Sequence, residues 1–428
     1  MDTERNMRYI VIGNSAAGLF AVEEIRKHDT LSEIIVLTAE SEPSYSRCLT
    51  TYFLAGDIPV SALYLREEGF AERLNIKVVY EVEVNQIDPE HQLVQSADGR
   101  EWTYSKLLLA MGASANKLKV PGSNLPEVFT LRTMKDAVAI NAVLEQGAQN
   151  CVVIGGGLVS LKSAYALKKR GLAVTVLISS GQLLSQMLDK KAGDLIQERL
   201  SAYGIRFLIQ TEASAITGTD HVQGVMLADK TELAADLVIV GKGVRPNIGN
   251  LRDLGFNLGE GVQVDSSLAT NIPNIYAAGD IAETWDLVRH KLAVNATWPN
   301  ATTQGRIAGA NMCGGHEVYP GSLGQNSVDF FGLSAMSAGI TKLPEIPAPK
   351  GIGDDVWTQE ESQLIKDGMP VYRSLIWQGD LLRGFVLLGD TSQCGVLTGL
   401  VKAGRPLTQA QKELTLGKRG TLAVGMMK

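Results

Sequence analysis

The sequence predicts an α/β fold: two units of the parallel, doubly wound kind, followed by a small α+β domain. Three observations predict it. The run Ile10-Val11-Ile12-Gly13-Asn14-Ser15-Ala16-Ala17-Gly18 is an apolar strand entering a glycine turn and then a helix-forming stretch. The run Cys151-Val152-Val153-Ile154-Gly155-Gly156-Gly157-Leu158-Val159-Ser160 repeats that pattern. From Val318 on the pattern changes, with strand-like Val328–Phe331, Val371–Trp377 and Leu382–Leu388 and a helix opening at Val396–Val401.

Taken in order, the first turn leads to a helix over Leu19–Lys27 and a strand over Ile34–Leu37, with Glu40 at the strand's end. Glycine tightens such a turn and lets a pyrophosphate approach the backbone, while the helix presents unpaired N–H groups and its positive end. Ser15 stands at the second glycine position and is still small. An acid about 20 residues past the turn is placed to accept the ribose hydroxyls of an adenosine half. The bland alternative is that Glu40 is a solvated acid in Ala39-Glu40-Ser41-Glu42-Pro43.

Pro121-Gly122-Ser123 marks a crossover into the second unit. There the pattern predicts strand Cys151–Ile154, helix Leu158–Arg170, strand Ala173–Ile178, helix Ala192–Tyr203 and strand Arg206–Ile209. A polar hairpin follows, Gly224–Leu227 returning through Asp229-Lys230 to Thr231–Leu233. One glycine turn of this type is weak evidence, because such turns precede helices in many folds. Two, each in a full strand–turn–helix–strand context, point to a chain that holds two dinucleotides. The terminal domain is bounded loosely by Pro344–Pro349.

Composition agrees. A chain of 428 residues with 45% hydrophobic and 20% charged residues can carry two or three domains with substantial cores. The net charge of −6 argues against nucleic acid or an anionic membrane as partner. The first strand begins at Arg8 with no apolar leader, so no signal peptide is expected, and no apolar run reaches the ~20 residues of a membrane helix. Four cysteines, Cys48, Cys151, Cys313 and Cys394, suggest a reducing compartment such as the cytoplasm.

Further motifs carry a family resemblance. Leu107-Leu108-Leu109-Ala110-Met111-Gly112-Ala113 resembles an Ala-Thr-Gly segment with Met111 in place of threonine. Asp236-Leu237-Val238-Ile239-Val240-Gly241-Lys242-Gly243-Val244-Arg245-Pro246-Asn247 resembles a return crossover. Thr270-Asn271-Ile272-Pro273-Asn274-Ile275-Tyr276-Ala277-Ala278-Gly279-Asp280 is the most specific, a buried strand ending in an acid that only a ligand hydroxyl would usefully satisfy. With the two turns, these motifs make the chain similar to the pyridine nucleotide-disulfide oxidoreductase superfamily.

That resemblance implies Rossmann-like FAD- and NAD(P)-binding domains of the three-layer ββα type plus the small terminal domain. It places an FAD domain at 1–115 and 241–315, an NAD(H) domain at 116–240 and an interface domain at 316–428. FAD then falls on Gly13, Ser15, Ala16, Ala17, Gly18, Glu40, Arg47, Cys48, Val82, Ala110, Gly112, Gly279, Asp280 and Trp298. NAD(H) falls on Gly155, Gly157, Leu158, Val159, Ser160, Lys162 and Gly243. Trp298 opens the stretch Trp298–Met312, similar to the family helix whose start faces the flavin, where a helix N-terminus would stabilise an anionic ring. A core aromatic is the other reading of Trp298.

The cysteine arrangement narrows the chemistry. No Cys-x-x-Cys or Cys-x₄-Cys occurs, so the paired redox disulfide of the glutathione- and thioredoxin-reductase branches is missing. Four well-separated cysteines also match no ferredoxin spacing, and no metal site is expected. Cys48, in Tyr45-Ser46-Arg47-Cys48-Leu49-Thr50, has two readings. Relatives with a redox cysteine at this place are NADH oxidases and coenzyme A-disulfide reductases, and a thiolate beside a flavin would be reactive. Relatives with a similar Tyr-Ser-Arg framework carry proline there, and Cys48 would then pack as a small apolar residue. Cys151, Cys313 and Cys394 read as structural.

The second site departs from the family pattern. Ser160 replaces the third glycine, and Lys162 stands where a glutamate commonly orients the nicotinamide carboxamide. Ile178-Ser179-Ser180 lacks the acid that selects NAD, yet no arginine is placed for a 2′-phosphate, and NAD is preferred on that ground. The run Lys168-Lys169-Arg170 reads as a set of cations on a helix C-terminus.

The overall pattern, including Ser334-Ala335-Met336-Ser337-Ala338-Gly339, resembles FAD subunits that link NAD to iron–sulfur oxidoreductases. The resemblance implies an NAD(H):acceptor oxidoreductase that exchanges hydride with NAD(H) and single electrons with an iron–sulfur partner subunit. One alternative is a stand-alone NADH oxidase or CoA-disulfide/polysulfide reductase using Cys48; another is a non-catalytic flavoprotein scaffold. In the terminal domain Trp357, Tyr372 and Trp377 look exposed by sequence, although the alternating strand favours a core place for Trp377. The tail around Leu414–Gly420, polar and glycine-rich, is expected to serve an interface.

Overall fold

A computed structural model describes residues 7–344 and 356–415. They pack as two compact units. One takes the described part of Met1–Phe53 with Ile58–Ala115 and Val244–Ser322; the other takes Leu54–Asp57, Asn116–Gly243 and the described part of Leu323–Lys428.

In the first unit a parallel sheet runs in the order Ile275–Ala277, Lys106–Leu109, Arg8–Ile12, Glu33–Leu37, Ile76–Val79. Arg8–Ile12 is central, with Tyr9 in register with Ile34 on one side and Lys106 on the other. A parallel neighbour requires a crossover, which helix Ala16–His28 supplies. The helix begins three residues earlier than its apolar pattern, because the small residues Ala16, Ala17 and Gly18 fill its buried first turn.

Period-two alternation divides these strands between two cores. Ile10, Ile12, Ile35, Leu37, Leu107 and Leu109 pack towards Val84, Ile87 and Val94 of a three-stranded antiparallel sheet, Val84–Asp88, Leu93–Ser96 and Glu101–Thr103. Tyr9, Val11, Ile34, Val36 and Leu108 face the helices instead. The result is three layers, ββα. The ββα layering is the one the family resemblance implied; the individual strands of the antiparallel layer were not marked out by the sequence pattern.

Helix Trp298–Met312 lies against Ala16–His28 with glycines at the contact. A Cβ on Gly305 would sit 2.2 Å from the Ala17 carbonyl oxygen, and one on Gly309 2.6 Å from that of Ala21. The helices therefore meet backbone to backbone.

The second unit repeats the parallel design in the order Ile205–Ile209, Ala173–Ile178, Asn150–Ile154, Leu237–Val240, Val128–Phe129. Helices Leu158–Lys169 and Lys190–Ala202 match the expected pair to within two residues at each end. The polar hairpin forms as Gly224–Leu227 against Glu232–Ala234, with Lys230 at φ +69° in the turn.

Residues beyond Leu323 build a five-stranded antiparallel sheet: Gln325–Phe330, Leu333–Gly339, Leu381–Leu388, Met369–Gln378, Trp357–Lys366. Helix Cys394–Ala403 packs on it. Two strands here were not expected, Trp357–Lys366 and Leu333–Gly339; the latter contains the Ser334–Gly339 segment.

The aromatics of this domain need a correction. Tyr372 is fully buried, and its hydroxyl donates to Asp189 Oδ2 at 2.8 Å. Trp377 is buried as well, and Trp357 is half-buried. The alternation of Met369–Gln378 points Tyr372 inward, which inspection of single residues missed. Part of the tail is also better packed than its composition suggests. Gln409–Thr415 is helical, Thr415 is fully buried, and its carbonyl accepts from Arg373 Nη1 at 2.5 Å. Lys412 donates to Gly379 O and pairs with Asp380. The rest of that segment, 416–420, lies outside the described residues.

Two glycine substitutions separate close packing from simple propensity. Gly305→Ala should cost about 1–3 kcal/mol, because the helices must part to admit a methyl group. Gly395→Ala, in helix Cys394–Ala403 with nothing within 4 Å of the new Cβ, should be neutral or stabilising by up to ~1 kcal/mol. Chemical denaturation of both variants checks this; equal effects would refute it.

Candidate active site: two glycine turns and their surroundings

In the first unit, Gly13 lies at φ +114°, and a Cβ there would be 2.2 Å from the Ala110 carbonyl oxygen. Its N–H donates to Leu37 O at 2.8 Å, so the turn is held between two parallel strands. Gly18 is equally constrained, 1.9 Å from Gly13 O to a built Cβ. Ser15 caps helix Ala16–His28 by position only, with no side-chain bond to the first turn. The N–H groups of that turn, which have no partner within a helix, thus face the strand ends. This cradle, closed to any Cβ, fits a pyrophosphate.

Glu40 and Arg47 are brought together. Arg47 Nη2 pairs with Glu40 Oε1, Tyr45 OH donates to Glu40 Oε2 at 2.5 Å, and Arg47 Nη1 reaches Tyr45 OH at 3.0 Å. The solvated-acid reading of Glu40 is therefore wrong: its carboxylate is half-buried and fixed in place. A carboxylate has about four acceptor sites, so two remain for ribose hydroxyls. Val82 is buried and donates to Thr38 O at 2.8 Å, at the same strand end. Cys48 is an exposed thiol on the 3₁₀ turn Arg47–Leu49.

Ala110 closes the next strand end, with its N–H on Ile12 O at 2.9 Å, and Gly112 follows at φ +67°. Asn247 donates to Met111 O and its backbone N–H to Gly112 O, so the return motif clasps the outgoing one.

Gly279 lies at φ +83°, and its N–H donates to Gln304 Oε1 at 2.7 Å. Gln304 is buried and in turn donates to Tyr319 OH at 3.3 Å. Burial pushes the Tyr319 phenol up to about 12, which keeps it neutral in this network. Asp280, next to Gly279, is half-buried. Gln304 was missed by sequence reasoning; the available signal was a polar residue on the glycine-bearing face of a helix.

Trp298 opens its helix and packs half-buried against the helix-side core. Thr297, the N-cap, makes no capping bond, and its Oγ1 is buried without a hydrogen-bond partner. A buried hydroxyl at a helix N-terminus costs stability unless a ligand atom meets it, which fits a flavin ring there.

Asp286, also unforeseen, anchors the loop between Asp280 and this helix. It is fully buried and accepts from Val288 N, Arg289 N, Arg289 Nη1 and Asn295 Nδ2 at 2.7–2.9 Å. Burial alone would raise its pKa, but these hydrogen bonds and the Arg289 charge outweigh it and hold the carboxyl below its ordinary range.

The second unit repeats the cradle. Gly155 lies at φ +125°, with a built Cβ 2.3 Å from Gly241 O, and Gly157 is the N-cap of helix Leu158–Lys169 without a side-chain bond. Leu158 and the exposed Val159 start that helix. Ser160 is buried, and its hydroxyl donates to Gly241 O at 3.1 Å, turning the position of the third glycine into a hydrogen bond. Gly243, at φ +79°, accepts from Asn116 N at 3.0 Å. Gly155, Gly156, Ser179, Glu212, Gly241 and Lys242 border a cleft of about 310 Å³. Its place beside an uncapped helix N-terminus fits a second dinucleotide.

Lys162 is buried, with Nζ 5.0 Å from the Tyr165 ring centroid and 6.0 Å from that of Phe330. The basic run at the end of its helix serves as more than a dipole cap: Lys169 pairs with Asp57, and Arg170 Nη1 donates to Asn141 Oδ1 at 3.0 Å. Cys151 is buried and its thiol is pushed well up by desolvation; Cys313 and Cys394 are half-buried. Among the described residues no group of His, Cys, Asp or Glu could hold a metal ion, and no helix is long and apolar enough to cross a membrane.

Two glycine cradles, each under the carbonyl that follows a parallel strand, define a protein of the two-dinucleotide class. The chain belongs to the pyridine nucleotide-disulphide oxidoreductase family, whose pattern matches residues 7–305. It is 33% identical over 353 residues to the NADH oxidase of Methanocaldococcus jannaschii, covering 79% of each protein. It is 32% identical over 340 residues to the epsilon subunit of the NADH-dependent phenylglyoxylate dehydrogenase of Aromatoleum evansii, 79% of this chain and 80% of that one. Among solved structures, the NAD-dependent persulfide reductase of A. fulgidus superposes with a TM-score of 0.85 at 28% identity, over 94% of this chain and 77% of that one. The protein is accordingly an NAD(H)-dependent flavoenzyme that binds FAD and NAD(H).

Asp286 yields a pH-dependent expectation. Its folded pKa lies below the unfolded value of about 3.9, so its stabilisation is complete above that pH and is lost as pH falls through the folded value. Asp286→Asn should cost about 1.5–3 kcal/mol at pH 7, the range for hydrogen bonds to a charged group. The gap from wild type in thermal midpoint should close as pH falls below about 4. A gap that stays constant with pH would contradict the assignment.

Proposed function

We propose that the chain is the FAD-bearing, NADH-oxidising subunit of a larger oxidoreductase and delivers single electrons to an iron–sulfur partner. The similarity to the phenylglyoxylate dehydrogenase epsilon subunit, over four fifths of that subunit, carries the reading. The cysteines support it, since four separated residues match no cluster spacing and the one-electron acceptor then lies outside these residues. The first glycine turn and the N-terminus of helix Ala16–His28 hold the FAD pyrophosphate, Glu40 takes the adenosine ribose, and Asp280 takes the ribityl chain. Gln304 fixes the Gly279–Asp280 turn through its bond to the Gly279 N–H. The N-terminus of helix Trp298–Met312, with the Thr297 hydroxyl, faces the pyrimidine end. The second turn and the N-terminus of helix Leu158–Lys169 hold the NAD(H) pyrophosphate. The flavin supplies the conversion of one hydride into two separately transferable electrons. The cytoplasm is the proposed location.

Stopped-flow mixing of the FAD-loaded chain with NADH should bleach the flavin absorbance within a catalytic turnover time, and a tagged chain should retain an iron–sulfur protein it can reduce. Turnover with O₂ or CoA disulfide alone, with no such protein retained, would defeat the proposal.

A second reading rests on Cys48, an exposed thiol in a chain similar to an NADH oxidase and a persulfide reductase. If Cys48 carries redox chemistry, reduction should produce a long-wavelength charge-transfer band that Cys48→Ser abolishes along with activity. An unchanged spectrum and rate in Cys48→Ser would remove this reading and leave the first.

A further inference from the structure

We propose that Glu212 makes the second site selective for NAD(H) over its 2′-phosphorylated form, a role this protein has moved one strand over. The inference rests on NAD(H) occupying the second glycine turn. In this class of fold the acid that accepts from the adenosine ribose stands at the end of the strand after the glycine turn. Here that strand is Ala173–Ile178 and the position is Ser179, which has no charge with which to repel a phosphate.

The neighbouring strand supplies one. Ala173–Ile178 and Ile205–Ile209 run parallel with Ile178 opposite Ile209. Thr211 N–H then donates to Ile178 O at 3.0 Å, stitching the two strand ends together and setting Glu212 beside Ser179. The backbone of Glu212 is held on its other side, its carbonyl accepting from Ala228 N at 3.1 Å. Glu212 and Ser179 both border the 310 Å³ cleft with Gly155 and Gly156.

The cation on the same cleft lies at its other end. Lys242 follows strand Leu237–Val240, and two strands, Asn150–Ile154 and Ala173–Ile178, separate that strand from Ile205–Ile209, whose end leads to Glu212. At about 4.8 Å per strand that is roughly 14 Å, beyond a Debye length at physiological salt. The glycine turn follows Asn150–Ile154, so the pyrophosphate lies between the two charges and the adenosine half falls on the Glu212 side. A carboxylate there accepts from a 2′-hydroxyl and repels a 2′-phosphate.

Titration calorimetry of the FAD-loaded full chain with NAD⁺ and with NADP⁺ tests this. Glu212→Gln should lower the Kd for NADP⁺ roughly tenfold and leave that for NAD⁺ within about threefold, as expected from removing one like charge near a protein surface. Glu212→Lys should shift the ratio further, and Lys242→Gln should leave it unaltered. Glu212 is exposed, so these variants should keep the wild-type flavin content and thermal midpoint. An NAD⁺/NADP⁺ ratio unchanged in both Glu212 variants would make Glu212 a solvated surface acid and overturn the proposal alone. A wild-type chain that binds neither nucleotide would overturn the placement of NAD(H) at this turn, and the role of Glu212 with it.

Discussion

A carbonyl oxygen pressed against a glycine Cα, found twice, is the contact on which both sites depend. Gly13 lies under Ala110 O and Gly155 under Gly241 O, each at a φ that disfavours other residues and each with about 2.2–2.3 Å to any Cβ. The geometry exists because the strand that leads into each glycine turn is central in a parallel sheet. Its neighbour ends level with it and the chain must turn in the space between. A side chain at either glycine would push the helix N-terminus away from the strand ends and remove the place where a pyrophosphate is met by backbone N–H groups.

The two units then diverge. The first keeps glycine at the next close contact, Gly18 on Gly13 O, and uses glycines again where helix Trp298–Met312 crosses. In the second, Ser160 fills the equivalent position and compensates by bonding Gly241 O, so the same carbonyl that crowds Gly155 also anchors the helix. Lys162, two residues on, lies against the rings of Tyr165 and Phe330. Tyr165 meets Phe331 edge-on at 4.6 Å, Tyr203 stacks on Phe331 at 3.8 Å, and Arg199 covers Tyr203 while donating to Phe331 O. Cation–aromatic contacts of this kind are worth about 0.5–2 kcal/mol each. They fasten helices Leu158–Lys169 and Lys190–Ala202 to the turn between strands Gln325–Phe330 and Leu333–Gly339.

Around Asp280 the support is polar. Gln304, Tyr319 and Asn300 form a buried chain of side chains, and Asp286 gathers four donors one loop later. Half-satisfied networks of this kind would be costly, whereas these are bonded along their length, which favours a single geometry for the Gly279–Asp280 turn. The buried hydroxyls of Thr284 and Thr297 are exceptions, and that of Thr297 stands at the start of helix Trp298–Met312.

Much was legible in the chain itself, because short-range patterns carry it. The two glycine turns, the parallel units around them, the Gly279–Asp280 motif and the core place of Trp377 follow from strand periodicity and from what glycine alone permits. Glu40 was visible as an acid at the right spacing, but its partners Tyr45 and Arg47 were not, since a loop's path decides which side chains converge. Gln304, Asp286 and the burial of Tyr372 were invisible for the same reason: each depends on a partner from another element, Gly279, Asn295 or Asp189. Glu212 shows the limit most clearly. Nothing in its local sequence marks it, and only the parallel register of two strands puts it beside Ser179. Local pattern determines which elements form, and tertiary register decides which polar atoms meet, because hydrogen bonds and charges act over a few ångströms that the linear spacing does not specify.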